Sequence, residues 1–220
     1  MIRNPASERR AIDAALTSPL TSLDPIAAWR RGLPILLGAL VALRELNATD
    51  AEPLHEAISN EDVSRYISPP PPTIDAFARF IAWSERQRAL GAYASFAVVP
   101  RGTDRPIGLF QVRAMESRFG AAEWGFAIAP EFWGSGVFAD AARLVINFTF
   151  EVLGARRLEA RSAVQNLRGN GALLKIGALH EATLRQSFMR GGELLDQALW
   201  TILADDWLDP SAPQPPAVVH

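Results

Sequence analysis

Cysteine is absent from the 220 residues, so this chain has no disulfide framework, no thiol nucleophile and no cysteine metal site. Histidine occurs only at His55, His180 and His220, spaced too widely for a zinc site. Tyrosine is scarcer still, with Tyr66 and Tyr93 alone. An excess of charge of either sign is lacking as well. The formal net charge is -2, which argues against nucleic acid or an anionic membrane as the main partner. Long apolar runs are also missing. The best candidate, Leu33 to Leu43, is too short to span a bilayer, starts about thirty residues in and lacks a small-residue cleavage site. It reads instead as two short buried strands joined at Gly38, with Pro34 at the entry. The expectation is a cytoplasmic enzyme without metal, nucleic-acid partner or membrane.

With 49% hydrophobic and 21% charged residues, the composition is that of an ordinary soluble domain with a full core. Residues 1–32 read as an arm broken by Pro5, Pro19 and Pro25, with short helices from about Ala6 to Leu16 and Pro25 to Arg31. Residues 33–208 form the domain. Residues 209–220, with Pro210, Pro213, Pro215 and Pro216, form a tail expected to be disordered.

Within the domain, Val41 to Asn47 alternates as a strand, and Thr49 to Ser59 reads as a helix. Pro69 to Pro72 exclude helix and central strand and make a rigid exposed loop. A second helix runs from Thr73 to Ala89 on a stripe of Ile74, Phe77, Phe80, Ile81 and Leu90, with Trp83 as core or pocket wall. Tyr93 to Val99, Pro106 to Met115 and Ala121 to Ala129 look like an antiparallel meander. A helix from Gly136 to Leu153, a strand from Arg156 to Val164 and a helix from Asn166 to Ile176 follow. Two last strands, His180 to Met189 and Glu193 to Leu203, flank the hairpin signal Arg190-Gly191-Gly192.

The segment Ala122 to Ala142 carries the chemistry. It reads as a strand, a stop at Pro130, a turn at Gly134 and Gly136, and a helix start. A turn with two glycines gathers backbone N–H groups into one concavity, and the following helix adds unpaired N–H groups and its positive dipole end. A pyrophosphate fits such a cradle. Gly134-Ser135-Gly136-Val137-Phe138-Ala139 formally satisfies the dinucleotide pattern G-x-G-x-x-G/A, with Glu159 as a ribose acid. That pattern requires its strand immediately before it and alternating strands and helices around it. Here Pro-Glu-Phe-Trp intervenes after an antiparallel meander, so a nicotinamide enzyme is the remote alternative.

Glu131-Phe132-Trp133-Gly134-Ser135-Gly136 resembles the Q/R-x-x-G-x-G/A loop of the GNAT superfamily of N-acetyltransferases, with Glu131 in place of the usual Gln or Arg. The element order over Leu33 to Trp207 resembles that superfamily too. Within it the chain looks most like the Rim-type branch, which resembles acetyltransferases of ribosomal-protein N-termini. The carriers are Val41-Ala42-Leu43-Arg44, Ala122-Glu123-Trp124-Gly125-Phe126, the Pro130 to Gly136 loop, Asn166 to Asn170 through Lys175-Ile176-Gly177-Ala178, and Trp200 to Trp207. The resemblance implies an α/β (α+β) fold with a mixed, mostly antiparallel sheet of about seven strands, splayed between the fourth and fifth, and about four helices. It implies acetyl-CoA as co-substrate, held by Phe126, Ala127, Ile128, Trp133, Gly134, Ser135, Gly136, Val137, Phe138, Asn166 and Asn170. A bulge near Ala127 or Ile128 is expected where pairing breaks.

The same resemblance implies transfer of an acetyl group to a primary amine, on a protein N-terminus or a small molecule, by direct attack in a ternary complex. Glu123 is the first candidate for the base that keeps the amine neutral, and Glu131 the second. A backbone N–H near Ile128 is the candidate oxyanion donor. The family's serine, a proton donor to the thiolate, falls at Gly169, and neither tyrosine lies in the usual later position. That absence leaves open an acyl-CoA-binding regulatory or scaffold protein without turnover. The Pro69 to Pro72 loop and the first two helices form the acceptor side, closed by the last hairpin with Arg185, Phe188 and Arg190. A homodimer through the arm or the final strands is also left open.

Overall fold

The computed structural model describes residues 28–116 and 119–208; the tail and almost all of the arm lie outside them. Eight strands form one sheet among the described residues: β1 (Leu36–Leu37), β2 (Val41–Glu45), β3 (Tyr93–Pro100), β4 (Gly108–Ala114), β5 (Ala121–Ile128), β6 (Arg157–Ala163), β7 (Leu179–Arg190) and β8 (Glu193–Leu203). Their order is β1-β2-β3-β4-β5-β6-β8-β7. Only the β5–β6 pair is parallel. The expected seven strands become eight because the turn at Gly38 yields a separate edge strand. That strand is not buried as expected: Leu37 is 63% exposed and the adjacent Ile35 66%.

The sheet divides the core into two layers. On one face, Val41, Leu43, Phe96, Phe110, Trp124 and Leu158 pack with Ala141, Val145 and Ile146 of α4 (Val137–Asn147). On the other, Ala97, Val99, Leu109 and Ala127 pack with Leu54 of α1 (Ala51–Ile58) and with Phe77 and Ile81 of α3 (Ile74–Leu90). Each of these large side chains contributes roughly 1.5–3 kcal/mol when fully buried. The α3 stripe is narrower than its sequence suggests, because Ile74 and Leu90 are exposed. Trp83 is half-buried, stacked on Phe80 with ring centroids 5.9 Å apart and edge-on to Tyr93 at 4.9 Å.

The helices begin and end where local chemistry supplies partners. Thr73 Oγ1 accepts from the Ala76 N–H to start α3, and Gly91 ends it at φ +76°. Asn47 and Asp50 form a reciprocal capping box ahead of α1. Asp50 is buried and accepts both guanidinium arms of Arg44 at 2.7 and 2.8 Å, fixing α1 to β2. The sequence reading missed α2 (Glu61–Ser64), a single turn capped by Asn60, and α6 (Ala204–Leu208). The helix expected over Gly136 to Leu153 is α4 followed by a π-turn over Phe148–Val152. α5 (Leu167–Lys175) bridges β6 and β7.

The parting of the sheet has a simple origin. β5 holds β4 through seven register pairs and β6 holds β8 through seven, but β5 and β6 share only Ala121↔Arg157, Ala122↔Leu158 and Glu123↔Glu159. Each strand is satisfied on its far side, so the two diverge beyond Glu123 and leave a V. Beyond the last shared pair, Phe126 of β5 packs on Phe138 of α4 with ring centroids 4.5 Å apart and on Phe110 of β4 at 5.4 Å. No bulge is needed. The β4–β5 register runs unbroken through Ala127 and Ile128, so the expected bulge there is replaced by a break in pairing that starts at Trp124.

Candidate active site

The open edge of β5 follows from strand parity. Ala129 N–H donates to Ile107 C=O at 2.8 Å, and Met115 N–H to Ala121 C=O at 3.0 Å. With these register partners, the odd-numbered residues of β5 turn their backbone groups toward β4. Trp124, Phe126 and Ile128 therefore turn theirs into the V. The Ile128 carbonyl is taken by the Trp133 indole N–H at 2.8 Å, which leaves the Ile128 N–H and both backbone groups of Phe126 for an extended ligand.

At the mouth of the V lies the glycine turn. Gly134 and Gly136 sit at φ +77° and +89°, the left-handed region that favours glycine. A side chain at Gly136 would also press on Leu40, with a Cβ only 3.3 Å from its Cδ1. Among the described residues the N–H groups of Gly134, Gly136 and Phe138 make no hydrogen bond, while that of Trp133 is taken by Pro130 C=O. Ser135 Oγ donates to Phe132 C=O at 2.6 Å and braces the turn. Behind it, Asp140 accepts the N–H groups of Ala39, Leu40 and Val41 at 3.1, 2.8 and 3.1 Å. The β1–β2 turn is thereby strapped to the first turn of α4, and the carboxylate is occupied away from the cradle.

Two cavities meet along β5. The first, about 290 Å³, runs from Gly134 and Phe138 past Phe126, Ala127 and Ile128, with Asn166, Arg168 and Gly169 of the α5 start on its other side. Arg168 lies over the Trp133 ring, 4.3 Å from its centroid. Asn166 caps α5 by accepting the Gly169 N–H at 3.0 Å. A Cβ at position 169 would stand 2.4 Å from Asn166 Nδ2, so the cap occupies the space that a serine there would need. Asn170 lies outside this cavity. Its amide donates to the Ala163 carbonyl at 3.0 Å and accepts from the Trp200 indole at 2.8 Å, tying α5 to β6 and β8.

The second cavity, about 770 Å³, has Pro69 to Pro72 and the aromatic rings of Phe77, Phe80, Tyr93 and Phe188 as walls. Its floor is the polar face of the sheet: Gln111, Arg113, Glu123, Arg161 and Gln197. Glu123 Oε2 accepts from Arg113 at 2.6 Å and lies 4.0 Å from Arg161. Its Oε1 accepts no hydrogen bond among the described residues. Farther along the same face Arg157 donates to both oxygens of Glu181 at 2.9 and 2.6 Å and to Glu159 at 2.7 Å. The hydrogen bonds to Glu181 hold the Arg157 guanidinium above its ordinary range against the effect of burial. Reciprocally, the Arg157 hydrogen bonds hold the Glu181 carboxyl below the usual carboxylate range, with a smaller contribution from Thr201.

Only Tyr66, Ile67, Phe126 and Ala127 line both cavities. Tyr66 is the one protic side chain among them. Sequence distance hid it: Tyr66 precedes β5 by some sixty residues, and the fold brings it across. Its loop is held by Arg190, which donates to the carbonyls of Ser64 at 2.8 Å and Arg65 at 3.3 Å. Arg190 is thus a clamp, not a wall of the acceptor cavity. Arg185 is exposed outside both cavities, and so is Glu131, which removes Glu131 as a candidate base. Glu159 lies on β6, paired with Arg157 and far in topology from the glycine turn.

These features meet in one known family. The profile of the acetyltransferase (GNAT) domain matches residues 41–179, and the chain belongs to that family. It is 28% identical over 175 residues to the uncharacterized N-acetyltransferase YoaA of Bacillus subtilis (strain 168), covering 77% of this chain and 97% of that protein. The structure of a GNAT-family acetyltransferase from Bacillus anthracis superposes with a TM-score of 0.67 at 22% identity, over 77% of this chain and 98% of that one. RimJ of Mycobacterium smegmatis, solved in complex with CoA-disulfide, gives a TM-score of 0.72 at 16% identity, over 82% and 90%. The protein is therefore a GNAT-fold acetyltransferase, and the Rim-type resemblance of its motifs has the RimJ fold beside it. No helix of the described residues is long and apolar enough to cross a membrane.

Proposed function

We propose that the protein transfers an acetyl group from acetyl-CoA to a primary amine by direct attack, with the cofactor along the open edge of β5 and the amine in the larger cavity. The observation that carries this reading is the meeting of the two cavities at Phe126 and Ala127, beside a glycine turn with three open N–H groups. Acetyl-CoA, when bound, supplies an activated thioester. Gly134, Gly136 and Phe138 then hold phosphate oxygens through backbone N–H groups, with Ser135 and Val137 shaping the turn. Phe126 and Ile128 pair with the extended arm, and an N–H of this edge, on Ile128 or two residues back on Phe126, polarises the thioester carbonyl.

Glu123 takes the amine proton, directly or through water, at its unpaired oxygen. Tyr66 supplies a proton to the departing thiolate, in the place of the missing serine at Gly169. Asn166 shapes the cofactor side by fixing the start of α5, and Asn170 acts through the same helix. The assay is thiol release from acetyl-CoA with a panel of peptide N-termini and small amines. Release with at least one amine, and none without amine, supports the reading. Binding of acetyl-CoA without release for any amine favours the regulatory, non-catalytic alternative.

A further inference from the structure

The floor of the acceptor cavity holds an arginine that makes no hydrogen bond among the described residues. Arg161 projects from β6 onto the same sheet face as Arg157, four residues earlier. Arg157 donates to two carboxylates. Arg161 makes no hydrogen bond among the described residues: it approaches Glu123 only at 4.0 Å and Glu159 at 3.9 Å, beyond donor–acceptor range. The arginine with only these two long ion pairs is the one that lines the cavity.

Charge points the same way. Among the described residues Arg113, Glu123 and Arg161 are the only charged side chains that line this cavity, two cations to one anion, with Glu159 behind Arg161 at 3.9 Å. Arg113 spends a single N–H on Glu123, so most of the donors of both guanidinium groups remain open. Around them the walls are apolar and aromatic, including Phe77, Phe80 and Phe188. Such a floor repels a lysine-rich segment and accepts a carboxylate in the paired geometry that a guanidinium favours.

Resting on the acetyltransfer reading, we propose that Arg161, with Arg113, forms a carboxylate-binding subsite, so that the acceptor is a primary amine bearing a carboxylate on an apolar body.

The test is calorimetric titration of the full chain, loaded with CoA, with the tripeptide alanyl-phenylalanyl-glycine and with its C-terminal amide. The acid is expected to bind roughly 10- to 100-fold more tightly than the amide, the range of one charge-assisted pair. Arg161→Gln should lower the acid to the affinity of the amide and leave the amide unchanged, with Arg161→Lys between the two. Retained CoA binding and circular dichroism show that the variants fold. Equal affinity for the two peptides, binding of neither, or a preference that survives Arg161→Gln overturns the subsite. Thiol release with the same pair separates the two readings: equal transfer to both keeps acetyltransfer and removes the subsite, and Arg161-dependent binding without release does the reverse.

Discussion

The two sides of the V in this sheet are made of different material. The side proposed for the cofactor is backbone: open N–H groups at Gly134, Gly136 and Phe138, and the unpaired edge of β5 at Phe126 and Ile128. The side proposed for the acceptor is lined from nine separate segments of the described chain, including the Tyr66 to Pro72 loop, Phe77, Arg113, Arg161 and Phe188. Backbone sites recognise what every acetyl-CoA shares, whereas side-chain sites discriminate among acceptors. Changes to the first should remove all activity, and changes to the second should redistribute it.

The largest effect expected is at the cradle. Gly136→Val places a β-branched residue at φ +89° and against Leu40, so CoA affinity should fall by at least about 100-fold in a chain that still folds cooperatively, with a melting temperature lowered by the strain. Retained affinity would place the phosphates elsewhere. Next comes Tyr66→Phe, which removes only the hydroxyl of a residue that lines both cavities. Turnover should drop about 100-fold or more with little change in KM for acetyl-CoA; a change in KM alone would make Tyr66 a wall and not a proton donor. Glu123→Gln should lower turnover about 100-fold near neutral pH with CoA affinity intact, and equal rates for the two proteins across a pH series would dismiss Glu123 as base.

Smaller effects mark the scaffold. Asn166→Ala removes the cap of α5 and should cost about 1 kcal/mol of stability, read as a lowered melting temperature. Glu181→Gln tests the paired ladder on the floor side. The folded-state pKa of Glu181 lies below its ordinary value because of Arg157, so its contribution is present above the usual carboxylate range and disappears as pH falls through the lowered pKa. The melting-temperature gap between native and variant protein should therefore close on acidification; a gap independent of pH contradicts the pairing.

The same contrast explains what the sequence disclosed. The cradle was legible because its parts are contiguous: a strand, Pro130, two glycines and a helix start within Ala122 to Ala142. The helices over Ala51–Ile58 and Ile74–Leu90 and the meander were legible from caps and alternation. The acceptor floor was not, because Arg113, Glu123 and Arg161 become neighbours only through strand register. Tyr66 was set aside for its early position, and the fold brings it to the lining of both cavities. The break between β5 and β6 was placed too late, at Ala127 or Ile128, because it depends on pairing partners and not on any residue that breaks a strand. The side chains of Ser135 and Asn170, both expected to hold the cofactor, serve the turn and the α5 anchor.

The central claim is that the backbone edge and the glycine turn form the acetyl-CoA site. The most direct measurement is calorimetric titration of the full chain with acetyl-CoA, with NAD and NADP titrated alongside and Gly136→Val as control. One acetyl-CoA bound per chain, lost in the variant and with no binding of either nicotinamide cofactor, is the result the account predicts. Absence of acetyl-CoA binding, or binding undiminished in Gly136→Val, would contradict it.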